Sequence, residues 1–237
     1  MEINFLITCE HGGNRVPRPY VGRFQGKARV LASHRGYDAG SLELARRMAN
    51  RLGAPLFAST VTRLLVELNR SLGHPRMFSE FTEPLDDAEK QQLVRKYYLP
   101  YRQRVIDWLH RATRRATVVH ISVHSFTPVL QGSVRTADIG LLYDPRRTLE
   151  SQFCHAWQRL LGHRDRRLRV RRNYPYLGKS DGLTTALRRQ FDAEKYLGIE
   201  LEINQRWQRK GGPRWRQLQE DIVATAELGA ESVERRA

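Results

Sequence analysis

Histidines and carboxylates stand at the ends of several apolar runs in this 237-residue chain. His11 follows the run INFLITC in INFLITCEHGG, residues 3–13. Asp38 closes SHRGYD, just ahead of a helix-like segment. His124 lies at the end of the β-branched run TVVHISVHS, residues 117–125. Glu200 and Glu202 alternate with Ile199, Leu201 and Ile203 in YLGIELEINQ, residues 196–205. Two imidazoles and one carboxylate are the usual protein ligands of a catalytic zinc, with water in the fourth place. A further carboxylate beside them can act as general base on that water. The intervals between these residues are long, unlike a compact HExxH, so only the fold can bring them together.

Each residue also has a plain structural reading. His11 can be a hydrogen-bonded turn histidine, and Asp38 a neighbour of a helix N-cap. Positions 120, 122 and 124 share one strand face. There His120 reads as a satisfied core histidine, and His124, beside Ser125 at the strand end, as the ligand candidate. A carboxylate inside a sheet is costly unless it is paired, metal-bound or at the open end. A wet face on an edge strand would explain Glu200 and Glu202 without any chemistry. Cys9, beside the EHGG segment, reads as a small buried residue rather than a soft ligand.

The elements that must position these groups alternate in type. Strands are expected over 3–9, 54–60 (APLFAST), 62–68 (TRLLVEL), 117–125, 138–145, 168–172 and 196–205. Helices are expected over 40–53, from 85 to about 113, over 148–162, over 183–191 and around 213–228. Pro100 should break or kink the second of these. NYPYLGKSDG, residues 173–182, reads as a long loop, and the last residues should fray. There is no internal repeat or low-complexity linker, so residues 1–237 are expected to form a single α/β domain around a parallel or mixed sheet.

Composition narrows the setting. Cys9 and Cys154 are the two cysteines, so a disulfide framework is not expected and a reducing cytoplasm is. The opening apolar run is too short for a signal peptide. No window reaches the roughly 18 uninterrupted apolar residues of a membrane span. The net charge of +16 raises the question of a nucleic-acid partner. Arginine greatly outnumbers lysine, however, and the arginines are spread over many segments, the densest being 164–172. No RRM, KH, zinc-finger or homeodomain signature accompanies them, so a solvated basic surface is the favoured reading.

Taken together and in order, CEHGGNRVP, HRGYDAG, LNRS, HISVHSFTP, DIGLLYDP, RNYPYLGKSDG and GIELEINQ resemble the N-formylglutamate amidohydrolase family. That resemblance runs through most of the chain. It implies kinship with zinc carboxypeptidases and zinc-dependent cell-wall amidases. It also implies a three-layer α/β/α sandwich (phosphorylase/hydrolase-like) around a mixed, largely parallel sheet. By the same resemblance His11, Asp38 and His124 would bind Zn2+. Glu202, the acid of the E-x-N in the late strand, would be the general base in preference to Glu200. Two departures stand out: Glu67 in VELNRS, where an aspartate is expected, and the loop SFTPVLQGSVRTADIG.

The expected activity is then zinc-dependent hydrolysis of a small anionic N-acyl amino acid, with N-formylglutamate the family's example. Forked guanidinium groups suit its carboxylates. Arg70 in LNRS, counted with the catalytic machinery, and Arg172 in RRNYPY are the candidates, with Asn173 adding a hydrogen bond. A salt bridge between Arg70 and Glu67 is the structural alternative for the first. Two other functional readings stay open: a non-catalytic or nucleic-acid-binding relative using the arginine-rich surface, and a peptidase-like or cell-wall-amidase-like hydrolase with a wide groove. No oligomeric state is implied.

Overall fold

The computed structural model describes residues 2–234. The elements begin with β1 (Ile3–Cys9), a 3-10 turn (Arg18–Phe24), α1 (Ala28–Leu31), α2 (Ser41–Arg51) and β2 (Leu56–Ala58). Next come α3 (Asp87–Leu93), a π turn (Val94–Tyr98), α4 (Leu99–Ala112), β3 (Thr117–Phe126) and the short β4 (Val129–Leu130) and β5 (Ser133–Val134). Last are β6 (Ile139–Leu142), α5 (Thr148–Arg164), β7 (Val170–Arg172), α6 (Leu183–Arg188), β8 (Tyr196–Asn204), α7 (Arg206–Lys210) and α8 (Gly212–Glu234).

Six strands form one mixed sheet in the order β2-β1-β3-β8-β6-β7. β2, β1, β3 and β8 are parallel, β6 runs antiparallel to β8, and β7 is parallel to β6. β4 and β5 make a separate small hairpin. Alternation along each strand sorts its side chains between two faces. One face presents Ile7, Ile121, Val123, Ile199, Leu201 and Leu141 to α2, α5 and α8. The other presents Leu6, Val118 and Tyr196 to α4 and α6. This is the expected α/β/α sandwich. Among the described residues no helix is long and apolar enough to cross a membrane.

Three expectations are corrected. Residues 62–68 form no strand. Leu64 and Leu65 pack into a cluster under the 3-10 turn, while Val66 and Leu68 pack with α4 and α6, so this apolar run is an irregular segment between two cores. Pro100 breaks nothing: the chain is helical from Asp87 to Ala112. The π turn lets a new helix start at Leu99, and Pro100 then falls in its first turn, where a missing N–H costs little. Finally, β8 is a central strand, which removes the edge-strand explanation of Glu200 and Glu202. The expected fraying of the last residues lies largely outside the described part, since α8 runs to Glu234.

Candidate active site

β1, β3 and β8 point the same way, so their C-terminal ends share one edge of the sheet. His124 stands directly opposite Glu202 in the β3–β8 register. His11 lies just past the end of β1. The glycines after it are needed for close backbone approach: a Cβ on Gly13 would lie 2.6 Å from the Thr60 carbonyl oxygen. Asp38 arrives on the loop after α1, its N–H bonded to the His11 carbonyl at 2.9 Å. The Asp38 side chain does not cap α2, whose N-cap is Gly40.

All three side chains are buried and converge. Asp38 Oδ2 is 3.2 Å from His11 Nδ1 and 2.9 Å from His124 Nδ1. The far nitrogens are held from behind. His124 Nε2 is 3.1 Å from Glu10 Oε2, and His11 Nε2 donates to Glu67 Oε1. Glu10 is itself fixed by the hydroxyls of Tyr101 (2.8 Å) and Ser122 (2.6 Å). Glu67 accepts from Arg63 Nε (2.8 Å) and the Asn69 N–H (2.9 Å). A carboxylate behind each imidazole fixes its tautomer, as in metal-binding histidines generally. With each Nε2 carrying the proton, two Nδ1 lone pairs and one carboxylate oxygen face a common point. That donor set suits a divalent cation such as zinc.

The charges agree. Glu10, Asp38 and Glu67 are all held below the usual carboxylate range. In each case burial alone would raise the value, but paired histidines or Arg63 outweigh it. Burial pulls His124 down, yet its bonds to Asp38 and Glu10 raise it well above the ordinary imidazole value. Glu10, Asp38 and Glu67 still outnumber Arg63 and a protonated His124, so the site attracts positive charge, and a metal at Nδ1 would displace the His124 proton there. Cys9 is not part of it: burial pushes its thiol up to about 12, and it lies 3.3 Å from the Ser41 hydroxyl. His120 is the satisfied core histidine expected, bonded to Thr8 (2.8 Å) and to Tyr196 (2.7 Å).

Glu202 differs from the other acids. Its Oε2 is buried with no hydrogen-bond partner, and burial first, then the charges of Asp38 and Glu200, push its carboxyl up to about 8. It sits beside the three ligand candidates with an oxygen free to take a proton. Glu200 on the same face is instead bonded by the Thr184 hydroxyl at 2.9 Å. Gly140, opposite Glu202 in β6, leaves room for the Tyr174 carbonyl: a Cβ there would lie 2.0 Å from that oxygen. The 173–182 loop thus lies over this face of the sheet.

The expected substrate-binding residues part company. Arg70 is half-buried, and its Nη1 donates to the carbonyls of Asp181 (2.6 Å) and Asn69 (3.2 Å). Glu67 pairs with Arg63 and His11 rather than with Arg70. Asn69 joins Arg70 to the cluster, its side chain 3.4 Å from His124 Nε2. Arg172 is opposite Leu141, a residue of the α5-side core, and its charge acts on Cys154 and His155 of α5. It therefore lies on the wrong face of the sheet. A one-residue step reverses the face of a strand, and Arg171, opposite Gly140, takes the near side with its guanidinium 5.1 Å from the Tyr174 ring. Asn173 spends its Oδ1 on the N–H groups of Tyr143 (3.1 Å) and Gly178 (2.9 Å), holding its loop in shape.

Glu10, Glu67 and Arg63 were missed as partners of the ligands. An isolated acid inside the apolar run LLVELN was the available signal for Glu67. The arginine-rich segment 164–172 belongs to the β7 edge, where Arg167 pairs with Asp165 at 3.0 Å on an exposed surface.

The sequence pattern of the N-formylglutamate amidohydrolase family matches residues 3–207. A gene product of Agrobacterium tumefaciens with a known crystal structure is 28% identical, with a TM-score of 0.83, covering 98% of this chain and 92% of that one. The N-formylglutamate amidohydrolase of Ralstonia eutropha is 21% identical and shares the fold, with a TM-score of 0.68 and coverage of 100% and 96%. No curated protein matches the chain.

Proposed function

Since the chain belongs to the N-formylglutamate amidohydrolase family, a family of hydrolases for carbon–nitrogen bonds, we propose that it is a zinc-dependent enzyme cleaving the amide of a small N-acyl amino acid. The observation that carries this reading is an unpartnered buried carboxylate, Glu202, next to a His11–Asp38–His124 set whose nitrogens and oxygen converge.

The two Nδ1 atoms and Asp38 Oδ2 would hold the ion, with Glu10 and Glu67 fixing the imidazoles from behind. When bound, zinc supplies a Lewis acid for the amide carbonyl and makes water more acidic. A cation beside Glu202 favours its ionised form. Glu202 then accepts a proton from the attacking water and returns it to the leaving nitrogen as the C–N bond breaks. A carboxyl group in a low-dielectric site can perform both transfers because its affinity for protons lies near neutral pH. Arg70, anchored on the carbonyls of Asn69 and Asp181, holds the substrate's α-carboxylate.

The test is hydrolysis of a panel of N-formyl and N-acetyl amino acids by zinc-loaded protein. Wild type is expected to release the free amine. Glu202→Gln is expected to keep its zinc and lose roughly 10³-fold or more in kcat. A Glu202→Gln enzyme as active as wild type would overturn the role of Glu202, and an inactive wild type would overturn the reaction.

A further inference from the structure

Arg63 pairs with the carboxylates of the cluster; Arg135 is a half-buried cation on the hairpin side of the same region that takes no part in those pairs. Its backbone is pinned at the base of the β4–β5 hairpin: its N–H bonds the Pro128 carbonyl at 2.8 Å, and its carbonyl accepts from Asn204 Nδ2 at 3.1 Å. Its guanidinium carbon lies 5.9 Å from the Phe126 ring centre and 5.1 Å from that of Tyr176. Nη1 donates to the Tyr176 hydroxyl at 3.1 Å. No carboxylate pairs with it among the described residues, whereas two nearby cations have one: Arg63 has Glu67 and Asp38, and Arg206 has Asp138. Two aromatic rings thus hold a planar, weakly hydrated group in place and leave its charge unanswered.

The register fixes where that charge lies. Phe126 and Asn204 are paired two positions beyond His124 and Glu202 in the β3–β8 ladder, so alternation puts all four side chains on one face. The field of Arg135 reaches His34, which also feels Arg63 and Asp38. Arg70 belongs to the other end of this face: it bonds the Asp181 carbonyl, and the next residue, Gly182, packs against Glu200, two positions before Glu202. The two guanidinium groups are thus tied to opposite ends of the strand face that carries the candidate base, Arg70 by way of Glu200 and Arg135 by way of Phe126 and Asn204.

We propose that Arg135 binds a side-chain carboxylate of the substrate, which makes it the residue that selects N-acylated acidic amino acids over neutral ones. This rests on the amidohydrolase reading and narrows it. Arg70 takes the α-carboxylate and Arg135 the distal one, with the amide held between them over Glu202. A forked, pre-oriented guanidinium recognises a carboxylate bidentately and gains much less from a carboxamide, which offers one uncharged acceptor oxygen. Tyr176 is a positioning residue that acts through Arg135.

The experiment compares N-formylglutamate with N-formylglutamine, two substrates that differ in that one group. With zinc-loaded wild type, Arg135→Ala, Arg135→Lys and Tyr176→Phe, kcat/KM is measured for both. Arg135→Ala is expected to lose on the order of 10²-fold on the glutamate substrate, largely in KM, and little on the glutamine one. Arg135→Lys should recover part of that loss, and Tyr176→Phe should cost a few-fold on the glutamate substrate alone. Equal losses on both substrates, or none, would overturn the proposal while leaving the hydrolase standing. Calorimetric binding of both compounds to zinc-loaded Glu202→Gln protein, with and without Arg135→Ala, separates the two ideas. Glutamate-selective binding that depends on Arg135, together with a zinc-loaded wild type that hydrolyses neither compound, would keep the carboxylate site and sink the reaction. Binding indifferent to Arg135 would do the reverse.

Discussion

Two buried glutamates, Glu150 on α5 and Glu202 on β8, have been given opposite surroundings. Glu150 accepts from Arg188 Nε at 2.9 and 3.1 Å, from the Gly198 N–H at 3.0 Å and from the Asp144 N–H at 2.9 Å. It ties α5, α6 and β8 together, and each of its oxygens is answered. Glu202 leaves Oε2 bare in an equally dry place. Burying a carboxylate costs several kcal/mol unless donors replace the lost water. A fold that supplies them fully at one glutamate keeps it for structure; withholding them at the other is what the proposed proton transfer by Glu202 requires.

The widest gap should appear on removing each charge. Glu150→Gln leaves the Arg188 guanidinium buried against a neutral amide, and breaking such a pair costs about 3–5 kcal/mol. Glu202→Gln removes a desolvated acid and should leave the metal-free fold as stable as before, or more so. Urea unfolding of the two metal-free variants checks this, and equal losses would break the comparison.

Next in size is metal affinity. Glu67→Gln weakens the group behind His11 without touching a ligand, and such changes typically cost about 10–100-fold in affinity. Zinc competition against a chelator should place Glu67→Gln in that range, with Glu10→Gln alike through His124. Glu150→Gln, in whatever fraction folds, should bind zinc as wild type does.

A smaller effect is expected in pH. The Glu202 carboxyl, raised to about 8 in the fold, binds a proton more tightly folded than unfolded. Its contribution to stability is therefore complete below its ordinary unfolded range, near 4.5, and is lost as pH rises through about 8. Metal-free wild type should lose stability relative to Glu202→Gln between those values. Parallel stability–pH curves for the two proteins would show that Glu202 is not the proton holder. The smallest effect belongs to the arginine-rich edge. Arg167 pairs with Asp165 in the open, where such contacts are screened. Arg167→Ala should change neither the unfolding midpoint nor turnover.

The contrast between these glutamates was half legible in the sequence. Strand periodicity placed His124 and Glu202 at strand ends, and it gave Glu202 an apolar opposite face. It could not show that β8 is central, because strand order depends on which strands pair and not on any one strand's pattern. Glu150 looked like an ordinary first-turn acid of a helix; only the tertiary approach of Arg188 makes it structural. Arg172 failed for a simpler reason: in a strand of three residues, Val170–Arg172, one position decides the face. Residues 62–68 failed because burial between two cores produces the same apolar run as a strand.

On the proposed function, His11, Asp38 and His124 hold a metal beside a base, Glu202, that does not bind it. Elemental mass spectrometry of purified protein, after zinc reconstitution, tests it most directly. The expected result is about one zinc per wild-type and Glu202→Gln chain, and almost none in His11→Ala or His124→Ala chains that remain folded. Folded wild type that takes up no zinc, or alanine variants that keep it, would contradict the account.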